Sequence, residues 1–202
     1  MAEGILALLI AFALGSFPTA FVAGKLLSRG DIRESGSGNP GTLNAVGQYG
    51  KRVGLVVLLV DAGKGILAVI IAQALSVTDV WVYGTALLAT LGHNFSPVLK
   101  FRGGKGAATV LGISAFMLWQ ITAISGGAGL LVLLLTRNGV LAVTSVFILL
   151  NALTIITGQA TGQIVLCIVL SFLVAGTHLW RQSDEVTGAV RERSWRRFLS
   201  IQ

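Results

Sequence analysis

Charge is what this chain has least of. Asp, Glu, Lys and Arg make up 11% of its 202 residues, where soluble domains carry about a quarter. There is one cysteine, Cys167, so no internal disulfide can form, and its apolar mid-helix surroundings point to packing. There are two histidines, and no Cys, His or carboxylate cluster has metal-ligand spacing, so no metal is expected. No Walker A loop is present. The two Gly-Lys pairs have Leu99 and Leu58 where the leading glycine belongs, and Gly106 and Gly65 where Ser or Thr belongs. ATP hydrolysis is therefore not expected.

Apolar sequence fills the space. Mean hydropathy is +0.83, and long runs such as "GILALLIAFALGSFPTAFVAG", "VGLVVLLVDAGKGILAVIIAQAL" and "GQIVLCIVLSFLVAG" recur to the end. Each is near the roughly 20 residues that cross about 30 Å of hydrocarbon as a helix. The expected fold is all-α: a polytopic membrane helix bundle forming one integral membrane domain over residues 1–202. The candidate helices cover 4–27, 53–76, 79–97, 104–118, 120–136, 139–157 and 161–178, about seven spans. The stretch 104–136 is too long for one crossing and short for two, with a turn expected at Trp119–Gln120. A single crossing there would reduce the count to six.

The cations orient the chain. With the N-terminus outside and the C-terminus inside, the inner segments are 28–52, 98–103, 137–138 and 179–202. These segments and their helix ends hold every lysine and arginine except Lys64, and the outer segments hold none. The net charge of +7 thus reports orientation and attraction to anionic lipid, not nucleic acid. Lys64 lies inside the second helix, three residues from Asp61, where the two can pair.

Two inner segments are rich in glycine. Gly36, Gly38 and Gly41 alternate with Ser37, Asn39 and Asn44, a composition that allows an anion-binding nest of backbone N–H groups. Gly103, Gly104 and Gly106 surround Lys105 where a helix is expected to begin, and a helix N-terminus favours phosphate. Both histidines fall on the same expected membrane face. This face gathers cations, amides and hydroxyls but few carboxylates, which suits a phosphorylated substrate and excludes a glycosidase carboxyl pair. Placement at the interface suits an acyl chain.

"DIRESGSGNPGTLNAVGQYG" and "GHNFSPVLKFRGGKGAATVLG" resemble the first and second motifs of the bacterial acyl-phosphate:glycerol-3-phosphate acyltransferase family (PlsY). "DAGKG", Thr136–Arg137 and His178 follow in that family's order. The resemblance implies seven helices with a site on the cytoplasmic side of the bacterial inner membrane. It also implies transfer of an acyl group from acyl phosphate to the 1-hydroxyl of glycerol 3-phosphate, giving lysophosphatidic acid and phosphate without a cofactor. The roles assigned on this basis are Ser37, Asn39, Lys105 and His178 for catalysis, His178 as the general base if one is used. Gly36, Gly38, Gly41, Asn44, Arg52, His93, Arg102, Gly103, Gly104, Gly106, Thr109 and Arg137 would bind substrate phosphate. No Ser–His–Asp relay is evident, so no acyl-enzyme is expected.

The chain departs from that family's pattern at Thr42, Leu43, Gly47, Val140, Val143, Leu179, Arg181 and Val190. Gly47 stands where an arginine is usual. A paralogue with weakened activity or an altered acceptor is the second expectation. A transporter of phosphorylated solutes is the third, on the strength of the intramembrane Asp61–Lys64 pair.

Overall fold

The computed structural model describes residues 1–182. Val190, one of the positions where the chain departs from the resembled pattern, lies outside them. The chain divides into two compact units, Met1–Met117 and Leu118–Gln202. The described residues are helical and contain no strand.

The first unit holds α1 (Ala2–Gly15), α2 (Thr19–Leu26), α3 (Thr42–Tyr49), α4 (Lys51–Ala74), α5 (Asp79–Asn94) and α6 (Ala107–Met117), with short 3-10 turns at Ile32–Glu34 and Pro97–Leu99. α4 is its central post, packed on α1, α2, α3, α5 and α6. The second unit holds α7 (Trp119–Thr136), α8 (Gly139–Ile156) and α9 (Thr161–Arg181), with α7 against α8 and α8 against α9.

Five segments are long and apolar enough to cross a membrane: Ala2–Leu26, Lys51–Ala74, Trp119–Thr136, Gly139–Ile156 and Thr161–Arg181. α5 and α6 are shorter, at 16 and 11 residues. At 1.5 Å per residue they reach only about 24 Å and 17 Å. The chain is a multi-pass membrane protein.

Several boundaries differ from the sequence-based expectation. The single helix expected over 4–27 is broken at Ser16–Pro18, because Pro18 has no N–H and forces the residue before it out of helical geometry. The third helix stops at Asn94, not 97, ahead of Pro97. α6 begins at Ala107 rather than 104, because Gly106 is at φ +85° and cannot sit within a helix. Thr42–Tyr49, expected as loop, is helical. Its Ala45 is fully buried with Ala20, Ile32 and Val57, so packing supplies what its glycine-rich sequence does not. The break between α6 and α7 falls at Leu118, one residue before the expected turn.

Glycines set the close helix pairs. A Cβ at Gly15 would strike the backbone of Ala89, and one at Gly92 the backbone of Phe12, so α1 and α5 touch main chain to main chain. Gly65 and Gly112 do the same for α4 and α6. Small residues at such contacts are what helix association in lipid requires, since lipid offers no hydrophobic drive.

Asp61 and Lys64 form the expected pair, Nζ to Oδ1 at 2.8 Å, with both side chains buried. Thr19 Oγ1 donates to Asp61 Oδ1 at 2.7 Å, and Lys64 Nζ donates to the Phe17 carbonyl at 3.0 Å. Asp61→Ala leaves a buried ammonium without its counter-charge and should cost about 3–5 kcal/mol. Asp61→Leu with Lys64→Met should cost less, because no lone charge remains. Thermal unfolding in detergent measures both. Equal losses for the single and double variants would mean that pairing is not what holds this site.

Candidate functional site

The site is built from two loops of the first unit. The first runs from the end of α2 to α3. Asp31 begins it by accepting a bond from the Arg33 N–H at 2.9 Å, which sets the 3-10 turn. Ile32 is fully buried and anchors the turn in the core. Gly36 and Gly38 have φ of +59° and +67°, and a Cβ on Gly36 would overlap the Asn44 amide. Asn44 is the loop's internal brace. Its Nδ2 donates to the carbonyls of Ile32 and Ser35 at 3.2 and 3.0 Å, and its Oδ1 accepts from the Ser37 N–H at 3.2 Å.

Three amides of the segment 36–41 bond within the loop itself. The Ser37 N–H goes to Asn44, the Gly38 N–H to the Ser35 carbonyl and the Gly41 N–H to the Asn39 carbonyl. Pro40 has no N–H. These backbone donors hold the loop's own shape, and so does Asn44. Side chains are what the loop offers outward. Ser37 is exposed. Asn39 Oδ1 and Thr42 Oγ1 are buried with no hydrogen-bond partner. Burying a polar atom unpaired costs about 1–3 kcal/mol, a cost that a bound ligand can relieve.

The second loop joins α5 to α6. Ser96 Oγ donates to the Ser16 carbonyl at 2.5 Å, fixing the loop's first residues to the break between α1 and α2. Lys100 and Phe101 follow with φ of 54° and 62°, two successive left-handed residues that are not glycine. Each costs on the order of 1–3 kcal/mol. Backbone bonds hold them: Lys100 N–H to the Pro97 carbonyl, Phe101 N–H to Ser96 and Arg102 N–H to Leu99. The reversal brings Gly103 and Gly104 back onto the end of α5, where their N–H groups donate to the Asn94 and His93 carbonyls, each at 3.1 Å. The Gly103 and Gly104 N–H groups are thus taken up by α5 carbonyls. A Cβ at Gly104 would overlap the His93 imidazole. His93 is buried, with Nδ1 3.7 Å from Asp61 Oδ1. Lys105 then stands just before α6, whose first N–H groups lack intrahelical acceptors. Thr109 Oγ1, one turn into α6, is buried without a partner.

One side chain joins the two loops. Arg33 Nε and Nη2 grip the Asp31 carboxylate at 2.6–3.1 Å, and Nη1 donates to the Leu99 carbonyl at 2.8 Å. The Arg33 guanidinium also lies 5.7 Å from the Phe21 ring centroid. Hydrogen bonding to Arg33 holds the Asp31 carboxyl below the usual carboxylate range. The stability this adds is complete above the ordinary value of about 3.9 and is lost as pH falls through the lower folded value. At neutral pH the clamp is fully charged.

Through the Arg33–Leu99 bond the first unit ties the loop with Gly36, Ser37, Gly38, Asn39, Gly41 and Asn44 to the segment that runs from His93 through Arg102, Gly103, Gly104, Lys105 and Gly106 to Thr109. Arg52 is exposed in the first turn of α4, and Arg102 is exposed in the second loop. The other two expected residues belong to the second unit. Arg137 is exposed at the C-cap of α7, at φ 54°, and His178 is in the last turn of α9. Among the described residues no group of three or more His, Cys, Asp or Glu is placed to hold a metal ion. Asp31, Arg33, Thr42 and Ser96 were not foreseen as site residues. The D-x-R spacing at 31–33 was the available signal for the first two.

Residues 5–188 match the family model described as glycerol-3-phosphate acyltransferase. A glycerol-3-phosphate acyltransferase 4 of Dehalococcoides mccartyi is 40% identical over 177 residues, 88% of this chain and 96% of that one. A glycerol-3-phosphate acyltransferase of Prochlorococcus marinus is 29% identical over 187 residues, 93% and 94% of the two chains. The crystal structure of PlsY, an integral membrane glycerol 3-phosphate acyltransferase, in its glycerol 3-phosphate form superposes with a TM-score of 0.83 at 28% identity, covering 92% of each chain. Its lysophosphatidic acid form gives 0.81 at 27% identity over the same shares.

Gly104→Ala should push a methyl group into the His93 ring and displace the Lys105 loop, whereas Gly47→Ala, on a helix face with nothing within 4 Å, should be silent. The rise in melting temperature on adding inorganic phosphate reads this directly. It should shrink for Gly104→Ala and match wild type for Gly47→Ala. An undiminished phosphate response in Gly104→Ala would detach this loop from anion binding.

Proposed function

The chain belongs to the glycerol-3-phosphate acyltransferase family and acylates glycerol 3-phosphate, and from that premise we propose how its residues carry the reaction. The donor is an acyl phosphate. The 1-hydroxyl oxygen of glycerol 3-phosphate attacks the donor's carbonyl carbon, the bond from that carbon to the phosphate oxygen breaks, and phosphate leaves with the bonding pair. The products are lysophosphatidic acid and inorganic phosphate. The hydroxyl proton passes to His178 or to the departing phosphate.

The observation that carries this reading is the joining of the two loops: Arg33 sets the segment bearing Ser37 and Asn39 against the segment bearing Lys105. Lys105 and the N-terminus of α6 hold one phosphate. Arg52, Arg102 and Arg137 supply further positive charge for the second. Ser37 and the Asn39 side chain orient the acceptor and the carbonyl oxyanion, and Thr42 joins them through its unpartnered hydroxyl. Gly36, Gly38, Gly41, Gly103, Gly104 and Gly106 let backbone and substrate approach, while Asn44 and His93 hold the two loops in place. Rate comes from positioning and electrostatics, with no acyl-enzyme. We place the protein in the bacterial inner membrane with seven spans, the N-terminus outside and the site facing the cytoplasm. The positive-inside distribution of Lys and Arg supports this orientation.

Gly47 favours a second reading, an enzyme with a weakened or altered acceptor site. Open space surrounds the position where an arginine is usual in the resembled motif.

Purified protein given palmitoyl phosphate and radiolabelled glycerol 3-phosphate should form lysophosphatidic acid. Absence of product at every acyl length would remove the acyltransferase reading. Lys105→Ala should abolish nearly all turnover, and Ser37→Ala should cause a large loss. Unchanged kinetics in Lys105→Ala would strip Lys105 of its role. Gly47→Arg should lower KM for glycerol 3-phosphate. A KM equal to or above wild type would show that this acceptor site is complete without the arginine.

A further inference from the structure

We propose that Arg33 is a positioning residue for acyl transfer. Its guanidinium ties the loop bearing Ser37 to the turn that presents Lys105, and so fixes the distance between the groups that hold the two substrates. The inference rests on the acyltransferase reading above.

Neither loop end is free to drift on its own side. Ile32 is fully buried beside Arg33, and Leu99, whose carbonyl receives the bond, is 2% exposed. Ser37 lies four residues beyond Arg33, and Lys105 six beyond Leu99. A constraint at the Arg33–Leu99 bond therefore acts close to both functional groups. The Leu99 carbonyl also accepts the Arg102 N–H at 3.1 Å, across the two left-handed residues Lys100 and Phe101. Arg33 thus grips the turn at the residue just before its two left-handed positions.

The geometry needs an arginine. Two guanidinium nitrogens face Asp31 while the third reaches Leu99, 66 residues away. A lysine ammonium is a compact point charge and cannot make a two-nitrogen grip on a carboxylate while reaching a separate carbonyl. Asp31 serves to aim the fork: it caps the turn that carries Arg33 and accepts from its side chain as well. An exposed ion pair would contribute little. This one is partly buried, with side-chain exposures of 24% for Arg33 and 17% for Asp31.

The test uses full-length protein in detergent with palmitoyl phosphate and glycerol 3-phosphate, each varied at saturating levels of the other. Arg33→Lys should lower kcat/KM by roughly tenfold to a hundredfold, the size of effect expected from displacing reacting groups by about 1 Å. Its melting temperature should stay within about 2 °C of wild type. Asp31→Asn should move kcat/KM in the same direction by less, and it carries the test if Arg33→Lys does not fold. The double variant should lose no more than Arg33→Lys alone, because both changes release one clamp. Additive losses would overturn the proposal. So would wild-type kinetics in Arg33→Lys, or an activity loss matched by an equal loss of folded protein. A wild-type protein that forms no product removes the acyltransferase reading and this inference together. An active wild type beside an equally active Arg33→Lys removes the clamp alone.

Discussion

A break inside an apolar span frees backbone carbonyls that need partners within the protein, and the first unit is organised around the break at Ser16–Pro18. Every polar group at membrane depth must find a partner within the protein. The Phe17 carbonyl receives Lys64 Nζ at 3.0 Å, and the Ser16 carbonyl receives Ser96 Oγ. The lysine then needs a counter-charge, which Asp61 supplies, and Asp61 takes a third partner in the Thr19 hydroxyl at the start of α2. The charged pair that looked like a transport feature in sequence is the consequence of a helix break. The same break pins Ser96, the residue from which the Lys105 loop departs.

That arrangement explains why the glycines lie where they do. Gly15 and Gly92 let α1 and α5 meet main chain to main chain, which sets Ser16 beside Ser96. Gly65 and Gly112 draw α6 against α4, so that Lys105 enters α6 from a loop already folded onto His93 and Asn94. The left-handed pair Lys100–Phe101 turns the chain back sharply enough for this. Its strain is held by backbone bonds on the inside and by Arg33 on the outside. Rigid presentation of a lysine before a helix N-terminus suits a substrate that carries phosphate, where charge placement does most of the work.

Much of this is legible in the sequence. Long apolar runs announce membrane helices, because hydrocarbon thickness sets their length. The ends of α7, α8 and α9 fall close to where the turn residues put them. The Asp61–Lys64 pair follows from a spacing of three residues. Other features were hidden. α3 carries two glycine-flanked ends and little helical propensity, and exists because Ala45 is packed into a core of residues far apart in sequence. At 36–41 composition did not reveal that Asn44, seven residues beyond Ser37, draws the Ser37 N–H inward.

Composition, hydropathy and motif spacing determined that this is a multi-pass helical membrane protein with two glycine-rich loops, and which family those loops resemble. These are local properties, readable wherever neighbouring residues share one helix or one turn. Which polar groups bond within the protein and which are left unpartnered was decided only by tertiary structure. A hydrogen bond from Arg33 to Leu99, or from Ser96 to Ser16, joins residues 66 and 80 positions apart. No periodicity encodes such a bond, because it depends on where packed helices place the ends of separate loops.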